Sequence, residues 1–105
     1  DLGNCGGFTE VKKICDMAQV NDMGVQIHVC GGPIATAAAL QVEAAIPNFT
    51  IHEEHNANLL DIFIKAGKYY YKPENGYYTV PDLPGIGQEM TDEFLATCRK
   101  VVIGG

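Results

Sequence analysis

Asp1, His28 and Glu53 are the residues of this 105-residue chain whose types and spacing could share one piece of chemistry. An imidazole takes up a proton and returns it, and a carboxylate on one of its nitrogens decides which nitrogen does so. Each of the three stands where a strand should finish, with a helical stretch between one and the next. Three ionisable groups at three successive strand ends are candidates for a single site, provided that the strands lie side by side and parallel.

The elements that must hold them can be read from residue periodicity. Val11, Ile14, Cys15 and Ala18 recur at helical spacing, opposite Glu10, Lys12, Lys13 and Asp16, which predicts a helix from about Thr9 to Asn21 with Thr9 as its N-cap. The preceding LGNCGG, residues 2–7, reads as a glycine-rich turn. Gly24 to Val29 reads as a strand, with Val25, Ile27 and Val29 on one face and Gln26 and His28 on the other. Cys30-Gly31-Gly32 is a tight turn, and Pro33 opens an alanine-rich helix that runs to Ala45. Pro47 ends that helix, and Phe49 to Glu53 is the next strand. Helix–strand–turn–helix–strand is the order of successive βα units in a parallel sheet. In a barrel of such units the strand ends face the catalytic mouth.

Beyond Glu54 the pattern changes. Residues 55–67 read as irregular or weakly helical. The runs Tyr69-Tyr70-Tyr71 and Tyr77-Tyr78-Thr79-Val80 flank Asn75-Gly76 and predict a β-hairpin. Residues 81–90 read as a closing loop, and a last helix starts near Thr91, acidic in its first turn and basic in its last.

The net charge of −6, with no run of Lys or Arg, argues against a nucleic-acid or anionic-membrane surface. No apolar run approaches the roughly 18 residues needed to span a bilayer, and DLGNCGG lacks the basic start and apolar stretch of a secretory signal. None of the four cysteines forms a C-x-x-C pair, so they read as reduced thiols of a cytoplasmic protein. Asn48-Phe49-Thr50 matches a glycosylation acceptor, without consequence in that compartment. His52 and His55 beside Glu53 and Glu54 are metal-ligand types, but alternation sets His52 opposite Glu53, and no metal site is assigned within this chain.

Four blocks carry a resemblance: D-L-G-N-C-G-G-F-T-E-x-K-K at residues 1–13, I-H-V-C-G-G-P at 27–33, A-I-P-N-F-x-I-x-E at 45–53, and P-D-L-P-G-I-G-Q-E at 81–89. In this order and spacing the chain resembles the C-terminal part of an enolase-superfamily enzyme of the mandelate racemase subgroup. It looks most like sugar-acid dehydratases of the galactonate kind. The resemblance implies an α/β fold, the C-terminal portion of a modified (β/α)7β TIM-like barrel. Residues 1–54 would be the last βα units, and 55–105 a returning segment with the hairpin, closing loop and final helix.

The resemblance further implies that His28 is the acid/base at the end of strand seven and Asp1 its partner at the end of strand six. Glu53, at the end of strand eight, would hydrogen-bond an enediolate formed when a proton is removed beside a carboxylate. Glu54 competes for that place, and a slip of one residue reverses the side chain; the count from Pro47 favours Glu53. Mg2+ is implied as the ion that neutralises the enediolate, with ligands on segments before Asp1. The implied partners are a small sugar acid, the remainder of the barrel with a capping domain, and further copies in a homo-oligomer. Two strands cannot close a barrel, so the chain alone is expected to be inactive. Racemases, epimerases and cycloisomerases of the same superfamily share the enediolate, and a non-catalytic α/β module remains the reading of a different class.

Overall fold

The computed structural model describes residues 1–104, and among them five α-helices are formed: α1 (Leu2–Cys5), α2 (Phe8–Gln19), α3 (Gly32–Ala45), α4 (Asp61–Ala66) and α5 (Asp92–Ala96). A 3-10 turn, Asn56–Leu59, precedes α4. α1 replaces the glycine-rich turn expected at residues 2–7. The carboxylate of Asp1 caps it, accepting from the backbone N–H groups of Gly3 and Asn4. Gly6 and Gly7, at φ +107° and +83°, then turn the chain directly into α2. Helix α2 therefore begins at Phe8, and Thr9 lies inside its first turn instead of capping it.

Val11 and Cys15 of α2 pack with Ile27 and Val29, and with Ala39, Val42 and Ile46 in and after α3, to form the core; Leu2, Cys5 and Val25 close over it. Both long helices thus lie on the Val25/Ile27/Val29 side of the connecting stretch. Gln26 and His28 are exposed on the other side, as alternation requires. The alanines of α3 permit close approach: Ala37, Ala38 and Ala39 are all buried.

The two stretches expected as strands run parallel. Val25 N–H donates to the Asn48 carbonyl at 2.8 Å and Thr50 N–H donates to the Val25 carbonyl at 2.9 Å, a parallel bridge between Val25 and Phe49. Among the described residues the ladder goes no further, so the strands read over Gly24–Val29 and Phe49–Glu53 are reduced to this one bridge. A parallel pair is weak per residue and depends on neighbours along both edges.

The hairpin is likewise shorter than expected. Glu74 and Tyr77 exchange both backbone hydrogen bonds around Asn75 and Gly76, whose φ values of +51° and +83° suit a tight two-residue turn. Among the described residues the tyrosine runs do not pair beyond it, and the first of them bonds to the closing loop instead. The buried Gln88 side chain accepts from Tyr69 N–H at 3.1 Å and donates to the Tyr69 carbonyl at 2.6 Å. Tyr71 OH donates to the Gly87 carbonyl. Gly67 bridges Met90, and Gln41 of α3 donates to the Pro81 carbonyl at 3.1 Å, so the closing loop lies against both 67–71 and α3. The last helix, α5, is capped by Thr91, whose hydroxyl accepts from Phe94 N–H. Among the described residues no helix is long and apolar enough to cross a membrane.

Candidate active site

The three residues expected to share a site are brought together. His28 Nδ1 donates to Oδ2 of Asp1 at 2.9 Å, across 27 positions of sequence. On the other side of the ring, Nε2 lies 3.6 Å from Oε1 of Glu53. That separation is too long for a hydrogen bond. One imidazole therefore stands between two carboxylates, gripped by one and approached by the other.

Asp1 is the best-fixed member. Its Oδ1 accepts from Gly3 N–H at 2.7 Å, and its Oδ2 accepts from the Asn4 side-chain amide at 3.2 Å as well as from His28. The cap of α1 and the orientation of the imidazole are thus one structural unit. A carboxylate held this way keeps the hydrogen on Nδ1 and leaves Nε2 as the nitrogen open to exchange a proton. The His28 side chain remains 55% exposed, whereas Asp1 and Glu53 are 26% and 29% exposed. His28 and Asp1 line a cavity of about 540 Å3 together with Cys30, Gly31 and Ile34.

Glu54 goes elsewhere. It lines a separate small cavity with Thr36 and Asn58. His52 also turns away from His28: its Nδ1 donates to Oε2 of Glu43 on α3 at 2.7 Å. Among the described residues no three His, Cys, Asp or Glu side chains converge as metal ligands. Asp1, whose carboxylate is already taken by three donors besides the imidazole, does not fit that role. All four cysteines are free thiols.

Sequence reasoning missed Asn4 and Glu43. The first had a signal, since an Asp three positions before a short polar residue at a chain turn is a capping pattern. The second had none, because its partner is brought to it only by the packing of α3 on the following stretch.

Asp1, His28 and Glu53 thus meet at one end of two helix-and-extended-stretch units joined by a parallel bridge. Residues 1–94 match the family described as enolase C-terminal domain-like, and the chain belongs to that family. It is 40% identical over 100 residues to D-galactonate dehydratase from Cronobacter sakazakii, covering 89% of this chain and 26% of that protein. It is 35% identical over 89 residues to D-xylonate dehydratase from Haloferax volcanii, covering 83% of this chain and 21% of that protein. The crystal structure of a member of the enolase superfamily from Salmonella Typhimurium superimposes with a TM-score of 0.85 at 63% identity, covering 89% of this chain and 24% of that one. The chain spans about a quarter of the length of the curated relatives it matches.

Proposed function

We propose that this chain is the acid–base portion of a sugar-acid dehydratase, built on the closing βα units of a (β/α)7β barrel. The observation that carries the reading is the imidazole of His28 held by Asp1 on one nitrogen and faced by Glu53 on the other.

His28 Nε2 takes the proton from the carbon next to the substrate carboxylate, and the C–H electron pair moves into that carboxylate as an enediolate. Asp1 stabilises the imidazolium that results and keeps the ring from turning. The Glu53 carboxyl, when it carries a proton, donates to an enediolate oxygen, where charge has developed. The electron pair then expels the β-hydroxyl, which takes the proton from His28 and leaves as water. The enol left behind tautomerises to a 2-keto-3-deoxy acid. Mg2+, when bound by the parent protein, would neutralise charge on the substrate oxygens. Among the described residues no group of side chains forms a site for it, and every step above runs through Asp1, His28 and Glu53.

The named dehydratase relatives support a sugar acid as substrate. The test is a screen of aldonic and aldaric acids against the full-length parent protein with magnesium, read as 2-keto-3-deoxy product. Wild type should dehydrate at least one acid, and His28→Ala should lose that activity while keeping its circular dichroism spectrum. Deuterium entering the α-carbon without loss of water would move the assignment to a racemase or epimerase. Turnover unchanged by His28→Ala would overturn it.

A further inference from the structure

Behind the stretch that carries Glu53 lies a second polar pair, more deeply buried than the site itself. The side chains of His52 and Glu43 are 9% and 5% exposed and are joined by the 2.7 Å bond from Nδ1 to Oε2. Tyr78 packs on the His52 ring, with centroids 4.7 Å apart and planes tilted by 58°. Glu43 is carried by α3, next to Val42 of the core, so the far end of this bond is fixed to the most buried helix of the chain.

His52 is followed at once by Glu53. The two side chains leave the backbone toward opposite partners, His52 to α3 and Glu53 to His28. Neighbouring side chains on an open backbone diverge in this way, so fixing one sets the direction of the next. The bridge nearest to Glu53 is the one between Val25 and Phe49, four residues earlier, and the hydrogen bond of His52 is a tether one residue from Glu53.

We propose that Glu43 and His52 are positioning residues that aim the Glu53 carboxyl at the His28 imidazole. The role in turnover rests on the function proposed above; the aim itself can be measured without substrate. Losing this tether leaves Glu53 present but less firmly aimed at His28, and misplacing a group in a proton-transfer site costs about tenfold or more in rate.

The experiment uses the full-length protein labelled with [5-13C]glutamate, with the Glu53 carboxyl resonance assigned through Glu53→Gln. In the wild-type background, His28→Ala should shift that resonance. In the His52→Ala background the shift caused by His28→Ala should disappear. His52→Asn, whose amide N–H stands near the place of Nδ1 and can still donate to Glu43, should restore it. If His52→Ala does not fold, His52→Phe fills the same buried space without a donor and should abolish the response equally. In turnover, His52→Ala should lower kcat about tenfold and cause no further loss when added to Glu53→Gln. A response to His28→Ala that survives in His52→Ala or His52→Phe overturns the proposal, as do losses in kcat that simply multiply in the double variant. If wild type dehydrates no sugar acid, the functional reading fails, and the resonance shifts alone decide whether His52 aims Glu53.

Discussion

The side-chain amide of Asn4 donates to Oδ2 of Asp1 at 3.2 Å, the same oxygen that accepts from His28 Nδ1. Asn4 thereby helps to hold the carboxylate that holds the imidazole. Asn4→Ala removes one of the bonds on Asp1 and leaves the cap through Gly3 in place, at a cost of about 1 kcal/mol in transition-state orientation. In the full-length protein kcat should fall roughly fivefold with KM little changed. Asn4→Asp sets two carboxylates against each other at that distance, and steady-state kinetics should show a larger loss than for the alanine variant.

Asp1→Asn separates the two duties of Asp1. Asparagine caps helices as well as aspartate does, and its carbonyl oxygen can take the Gly3 N–H, so α1 should persist. The amide NH2 is then left facing His28 and can only donate. The imidazole must accept on Nδ1 and carry its hydrogen on Nε2, the nitrogen needed to receive the substrate proton. The loss of general-base function should lower kcat by about 100-fold or more. The 15N signals of the His28 ring should exchange their protonated and unprotonated assignments, which separates a tautomer change from loss of structure.

The parts of this arrangement that depend on local periodicity were legible in the residues. Val11, Cys15 and Ala18 mark α2, Pro33 and the alanines mark α3, and alternation from Val25 to Val29 exposes His28 on the face away from the helices. The grouping of Asp1, His28 and Glu53 followed from their places at the ends of such units. Contacts made by tertiary packing were not legible. Tyr69 and Tyr71 look like one arm of a hairpin until Gln88 and Gly87 offer them partners 19 and 16 positions away. The pairing of His52 with Glu43 depends on where α3 lies over the next stretch. The short helix α1 escaped notice because its stability comes from one capping carboxylate instead of an apolar stripe.

Asn48 is the joint between α2 and the stretch that leads to Glu53. Its side-chain amide donates to the carbonyls of Cys15 at 3.0 Å and Met23 at 3.1 Å, beside the parallel bridge of Val25 and Phe49. Asn48→Ala deletes both bonds. Its Oδ1 is buried without a partner, so the same change also relieves an unmet acceptor, and the net cost should be about 1–2 kcal/mol. The urea midpoint should fall accordingly. Asn48→Asp would aim a carboxylate at two carbonyl oxygens and should lower the midpoint further.

Cys15 and Cys30 should react very differently, although both are free thiols. Cys15 is 1% exposed in the core, and burial, with the neighbouring Asp16 charge, pushes its pKa above the ordinary 9.0. Less thiolate at a given pH and no access both protect it. Brief iodoacetamide treatment at pH 8, followed by peptide mass mapping, should modify the exposed Cys30 and Cys98 and leave Cys15 intact until the protein is unfolded. Cys30 lines the same cavity as Asp1 and His28, so turnover should fall in step with its alkylation, and Cys30→Ser should be resistant. The Cys15 thiol also sets a sign for stability against pH. The fold binds its proton more tightly than the unfolded chain does, so its contribution is complete below pH 9 and declines as pH rises through the folded value. Cys15→Ala should flatten that alkaline decline in a urea-midpoint series.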